Sequence, residues 1–139
     1  MPEGYTEALQ KAFEIALMRF GVANSITVAL ENINAPTNTA TPYLAGFLLP
    51  APVEDADLYF TDRRSGIYQV DVHYASHLGS APINKMIDLI NAAFKPSTEL
   101  VRGVICAEIT NFSPDRVTVD NGWATKPVSI RFEAYTVRL

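Results

Sequence analysis

A chain of 139 residues, 48% of them hydrophobic, has the length of one ordinary domain and enough apolar side chain for a core without covalent staples. A disordered tail and a disulfide mini-protein are thereby excluded. Eleven Lys and Arg against fifteen Asp and Glu leave a net charge of −4, the wrong sign for a non-specific grip on phosphate backbones. Charged residues make up 19% of the chain, where soluble domains average about 25%; the deficit points to surface reserved for a partner.

The segment Met1-Pro2-Glu3-Gly4-Tyr5 has no basic patch followed by an apolar stretch. No apolar run approaches the roughly 20 residues that span a bilayer, so the expectation is no membrane association and folding in a reducing cytoplasm. Leu9, Ala12, Phe13, Ala16, Leu17 and Phe20 fall on one stripe of a first helix. Thr6 is its expected N-cap, Glu7 and Lys11 an i,i+4 pair, and Gly21 its stop. Ile15 and Met18 project away from that stripe, to be partly buried under a loop or, on the sharper reading, in contact with another subunit.

Strands are expected at Ile26 to Leu30, Tyr43 to Leu49 and Tyr68 to Tyr74. In the third, Tyr68, Val70, Val72 and Tyr74 alternate with Gln69, Asp71 and His73, which gives one core face and one polar face. Asn32 to Pro42 and Pro50 to Ser65 read as loops. The second is much longer than the usual connection of about 4–6 residues, and its Leu58-Tyr59-Phe60 centre is too apolar for a solvated linker. It is expected to be an extended hairpin arm that packs on something.

A second helix is signalled by Ser80 as cap, Pro82 in the first turn, the stripe Ile83, Met86, Ile87, Ile90 and Phe94, and then Lys95-Pro96. Further strands are expected at Val104 to Ile109, Arg116 to Val119 and Val128 to Val137, with Asp120-Asn121-Gly122 as a hairpin turn between the last two. Helix, strands, helix, strands without regular βαβ repetition predicts one α+β domain over residues 1–139. Its antiparallel or mixed sheet carries two amphipathic helices on one face, with a long hairpin-like loop.

No residue set here makes an active site. His73 and His77 lie at a strand end and in the following turn, not on a helix face where such spacing would converge on a metal. Glu54, Asp55 and Asp57 lack the frame of a calcium loop and read as a solvated acidic surface. Cys106 has no second cysteine with which to bridge and reads as a small core residue. No glycine-rich phosphate cradle is present, and Phe47, Tyr68, Tyr74 and Phe132 read as packing aromatics rather than a stacking platform. No catalytic residue, metal or cofactor is expected.

Four stretches carry a resemblance: Thr41-Pro42-Tyr43-Leu44, Leu48-Leu49-Pro50-Ala51, Arg64 through Val72, and Asn121-Gly122-Trp123 with Pro127 through Ala134. Together with the element order, they make the chain resemble the phage tail terminator family, minor tail proteins of long-tailed phages, over nearly its whole length. The resemblance implies an α+β subunit of a virion ring, hexameric in that family, at the head-proximal end of the tail and assembled in the host cytoplasm. Such a ring caps the tail tube, ends its polymerisation and offers a joining surface to the head completion or neck protein. The chain departs from the family pattern in its 50–65 loop, and Gly46 marks a bulge or a close backbone approach within the Tyr43 to Leu49 strand.

Charge is unevenly distributed: residues 1–62 hold eight acids and two bases, net −6, and residues 63–139 seven acids and nine bases, net +2. This split suggests attraction across a subunit boundary, with Arg63 and Arg64 meeting acids of a neighbour or of the tube protein. Ile15, Met18, Leu58, Tyr59 and Phe60 would supply apolar contact there. Glu54, Asp55 and Asp57 are the candidates for a bore through which DNA passes without specific binding. The competing readings are a head-tail adaptor of the neck and, from a different class, a small cytoplasmic α+β ligand-binding domain or enzyme. The last predicts a pocket of convergent polar groups.

Overall fold

The computed structural model describes residues 5–30, 41–55, 61–103 and 105–137; along 50–55, 61–64 and 136–137 the description is of the backbone. Two helices, α1 (Tyr5–Ala23) and α2 (Ala81–Ala93), lie on one face of a mixed sheet. Its strands are β1 (Thr27–Ala29), β2 (Tyr43–Asp55), β3 (Thr61–Ala75), β4 (Glu99–Arg102), β5 (Ile105–Pro114), β6 (Thr118–Asp120) and β7 (Trp123–Val137), and a short 3-10 turn spans Ser76–Leu78. Strand order is β1-β2-β3-β7-β5-β4, with β6 pairing β7. Only β1 runs parallel to its neighbour; the other pairs are antiparallel. This is the α+β architecture that the hydrophobic periods predict.

The core lies between the helices and the sheet. Phe13 stacks on Tyr68 at 4.8 Å between ring centroids and tilts against Phe132 at the same distance. The expected α2 stripe, Ile83, Met86, Ile87, Ile90 and Phe94, is buried in full. Phe94 N–H closes the helix on Ile90 O at 2.8 Å, whereas the Ser80 side chain makes no capping bond. On β3 the alternation holds as read: Tyr68, Val70 and Val72 are buried, while Gln69, Asp71 and His73 take the other face.

Gly21 is not a helix stop. It lies inside α1, where an added Cβ would sit 2.6 Å from Val28 Cγ2 and 2.9 Å from Ile26 O. The residue lets the helix backbone approach β1 closely. The helix ends at left-handed Ser25 (φ 55°), with Ile26 N–H returning to Gly21 O at 2.9 Å. Thr6 already belongs to the first described turn of α1, not to its cap. The Glu7–Lys11 pair forms, at 3.0 Å and well exposed, so its contribution is about 0.5 kcal/mol or less.

The 50–65 segment is the expected extended hairpin arm, but its flanks are paired strand and not loop. β2 and β3 continue as a paired arm as far as Asp55 opposite Asp62, with a register irregularity between Pro50 and Val53. Pro50 and Pro52 donate no backbone hydrogen bond, but β1 pairs β2 only over Tyr43–Ala45. The prolines therefore stand on a stretch of edge where β1 asks for no donor. β5 likewise outruns its predicted end at Ile109: a bulge between Ile109 and Asn111 shifts the alternation, so Phe112 packs on the core from an even position. The Asp120-Asn121-Gly122 turn forms as expected, with Asn121 (φ 51°) and Gly122 (φ 81°) both left-handed and Asp120 opposite Trp123. β4 was not anticipated from sequence; four residues at an edge give too short a pattern.

Candidate assembly surfaces

The helix-free face of the sheet is built by the residues that alternate with the core. At one end Tyr43 stacks on His73 at 4.1 Å with the rings 11° apart, and Trp123 meets both edge-on at 5.1 and 6.0 Å. His73 Nδ1 shares a 2.9 Å hydrogen bond with Thr125 Oγ1. Burial pushes the His73 imidazole pKa down from its ordinary value, opposed by the Asp71 carboxylate. His73 is thus half-buried in an aromatic group with Ala29, Ala45 and Phe47 around it, not a simple solvent-face residue.

Towards the β4 edge the same face carries a row of carboxylates. Glu99 lies directly opposite Glu108, and Glu108 directly opposite Glu133, across β4, β5 and β7. Tyr135 Oη donates to Glu133 at 3.1 Å. Cys106 belongs to this face, not to the core: its thiol donates to Glu99 Oε2 at 3.7 Å. Burial first, and then the Glu99 and Glu108 charges, raise its pKa and disfavour the thiolate. Asp71 and, opposite Trp123, Asp120 belong to the same face, and its bases by register are Arg131 and, opposite Tyr135, Arg63. Among the described residues no group of three or more His, Cys, Asp or Glu could hold a metal ion, and no helix is long and apolar enough to cross a membrane.

The helix side has two grooves along α1. One, between α1 and β1, is lined by Met18, Gly21, Val22, Ile26 and Val28; Met18 and Val22 are exposed. The other runs along the opposite flank. Ile15, Arg19, Leu100 and Arg102 line its β4 end, and Phe20, Leu89, Ala93 and Phe94 its α2 end. Ala16, Arg19 and Leu100 belong to both ends, which makes it one continuous trough. Ile15 and Met18 therefore line different grooves, and the structure does not bring them together.

The backbone register sets Arg63 opposite Glu54 and Arg64 opposite Val53 on the arm, so both arginines belong to β3 and not to a loop base. Glu54 and Asp55 end β2, whereas Asp57, Leu58, Tyr59 and Phe60 lie outside the described residues. Sequence reasoning missed the trough and the acid row. Both depend on β4, and the row also depends on which residues of β5 and β7 face each other.

A family model described as phage tail terminator protein matches residues 8–132. The chain belongs to the phage tail terminator family. It is a structural protein of the phage tail, in a family whose members are not enzymes. A solved structure that is 22% identical superposes with a TM-score of 0.76 over 99% of this chain and 98% of the other, which shows the shared fold. None of the curated proteins compared matches this terminator-family chain.

Proposed function

We propose that this protein forms a ring, six copies joined head to tail, that caps the tail tube at its head-proximal end, stops tube growth and gives the head completion or neck protein its joining surface. The observation that carries the reading is the terminator-family match across nine-tenths of the chain. The task is geometric: each subunit needs two different surfaces that fit each other and close through rotation. The trough on the helix side and the arm at the opposite edge of the sheet are two such surfaces. Assembly takes place in the host cytoplasm before the head arrives.

DNA passes through the ring without being held. A bore lined by acids neither releases counterions nor grips the duplex. The helix-free face, with Asp71, Glu99, Glu108, Asp120 and Glu133 against Arg131 and, by register, Arg63, is the described surface that suits this bore best. The test is to add purified protein to polymerising tail tube protein and follow tube length by negative-stain imaging. Growth should stop, with a ring at one end of each tube. Unchanged growth at saturating protein would overturn the reading, and binding to tail-less heads instead of tube ends would replace it with a neck adaptor.

A further inference from the structure

The trough along α1 combines a floor of small and apolar residues with two guanidinium groups, Arg19 and Arg102, and one carboxylate, Glu99, along its rim. Ala16, Phe20, Leu89, Ala93 and Leu100 make the floor, and Leu89 is exposed there. Arg19 stands on the rim, exposed and without an ion pair to any described residue, and Arg102 lies at the β4 end of the same groove. Alanines at Ala16, Ala92 and Ala93 leave room for large side chains from outside. Such a site suits a segment that carries aromatic and aliphatic residues next to acids.

The chain contains one: Glu54-Asp55-Ala56-Asp57-Leu58-Tyr59-Phe60, the end of β2 and the five residues that join it to β3. Within one subunit, β7 and β5 lie between the arm strands β2 and β3 and strand β4, which lines the trough.

We propose that the β2–β3 arm of one subunit docks in the α1 trough of the next copy of the chain, with Leu58, Tyr59 and Phe60 on the apolar floor and Glu54, Asp55 and Asp57 against Arg19 and Arg102. The contact joins two different surfaces, so repetition generates a ring or filament instead of a closed dimer. The proposal rests on the ring reading and names the boundary that closes it. It also assigns the arm acids to that boundary, not to the bore.

Two charge-reversed variants test it: Arg19→Glu with Arg102→Glu in the trough, and Glu54→Arg with Asp55→Arg in the arm. Native mass is measured for each alone and for an equal mixture, alone and with tail tubes, with thermal melting as the folding control. Wild type should form rings, each variant alone should lose at least about tenfold in ring fraction, and the mixture should recover rings of alternating subunits. Wild-type rings that persist in both single variants would overturn the contact and leave the ring reading standing. A wild type that stays monomeric even on tubes would bring down both. Failure of the mixture to recover would overturn the pairing of arm with trough. As a second measurement, Ala93→Trp, which fills the floor from an exposed position, should abolish rings without lowering the melting temperature; rings that tolerate it count against the proposal.

Discussion

The two faces of the sheet are made by the same strands, residue by residue, yet they are built for opposite ends. The helix-covered face holds Phe13, Tyr68, Val70, Ile130 and Phe132 almost wholly out of water and carries the folding energy. The helix-free face holds one aromatic group, Tyr43, His73 and Trp123, and beside it a mixture of polar and acidic side chains with the exposed Leu49 and Val101. Glu99, Glu108 and Glu133 stand in line where like charges oppose stability. One face is closed by the chain itself, and the other is left for what the chain assembles around.

The sharpest way to break this comparison is to remove one ring from each face. Phe13→Ala deletes a fully buried side chain that touches both Tyr68 and Phe132 and is expected to cost about 3–5 kcal/mol in denaturant unfolding. Trp123→Ala removes a half-buried ring and is expected to cost about 1–2 kcal/mol. Equal losses would mean that the helix-free face also carries the fold.

Gly46 tests how closely the covered face is packed. A Cβ there would collide with Tyr68 Oη and lie 2.9 Å from Leu17 Cδ2. Gly46→Ala should therefore destabilise by about 1–3 kcal/mol, and Tyr68→Phe in the same chain should restore part of the loss by removing the hydroxyl from the collision. A neutral Gly46→Ala would show that α1 sits more loosely on β2 than these distances require.

Elements whose period is long and unbroken were legible in the sequence: the α1 and α2 stripes, the β3 alternation and the Asn-Gly turn. Gly46 announced a close approach, and the approach proved to be Tyr68 from the neighbouring strand. Misreadings came where one local rule met a tertiary exception. Gly21 has the signature of a stop but serves β1 packing, the 50–65 segment has the length and prolines of a loop but its ends are paired strand along an edge, and the bulge after Ile109 hides the rest of β5. The candidate surfaces were less legible. Ile15 was found because it leaves the core stripe, whereas the trough and the acid row exist only through register between strands distant in sequence.

His73 sharpens the comparison through pH. Because burial lowers its folded-state pKa, the unfolded chain takes up the proton first as pH falls below about 6.5. Neutral His73 therefore contributes stability that is complete above that pH and declines as pH falls through the folded pKa. Wild type should lose more stability than His73→Phe between pH 7 and the folded pKa of His73, as measured by urea unfolding at each pH. Parallel pH profiles for the two would show that the aromatic group does not discriminate against the imidazolium.

The smallest expected effect concerns the acid row. Glu108 lies between Glu99 and Glu133 and beside Cys106. Glu108→Gln should stabilise the fold by a few tenths of a kcal/mol, since like charges directly across a strand pair repel. It should also quicken Cys106 alkylation at mildly alkaline pH, because one of the charges that disfavours the thiolate is gone. The two readouts are independent: urea midpoints report the repulsion, and alkylation rates report the field at the thiol. A variant that gains stability and still assembles, but whose rings retain DNA, would show that the repulsion is kept for passage through the ring and not for folding. Unchanged stability and unchanged thiol reactivity would mean that solvent screens the three carboxylates from one another, and the helix-free face would lose its claim to be an electrostatic lining.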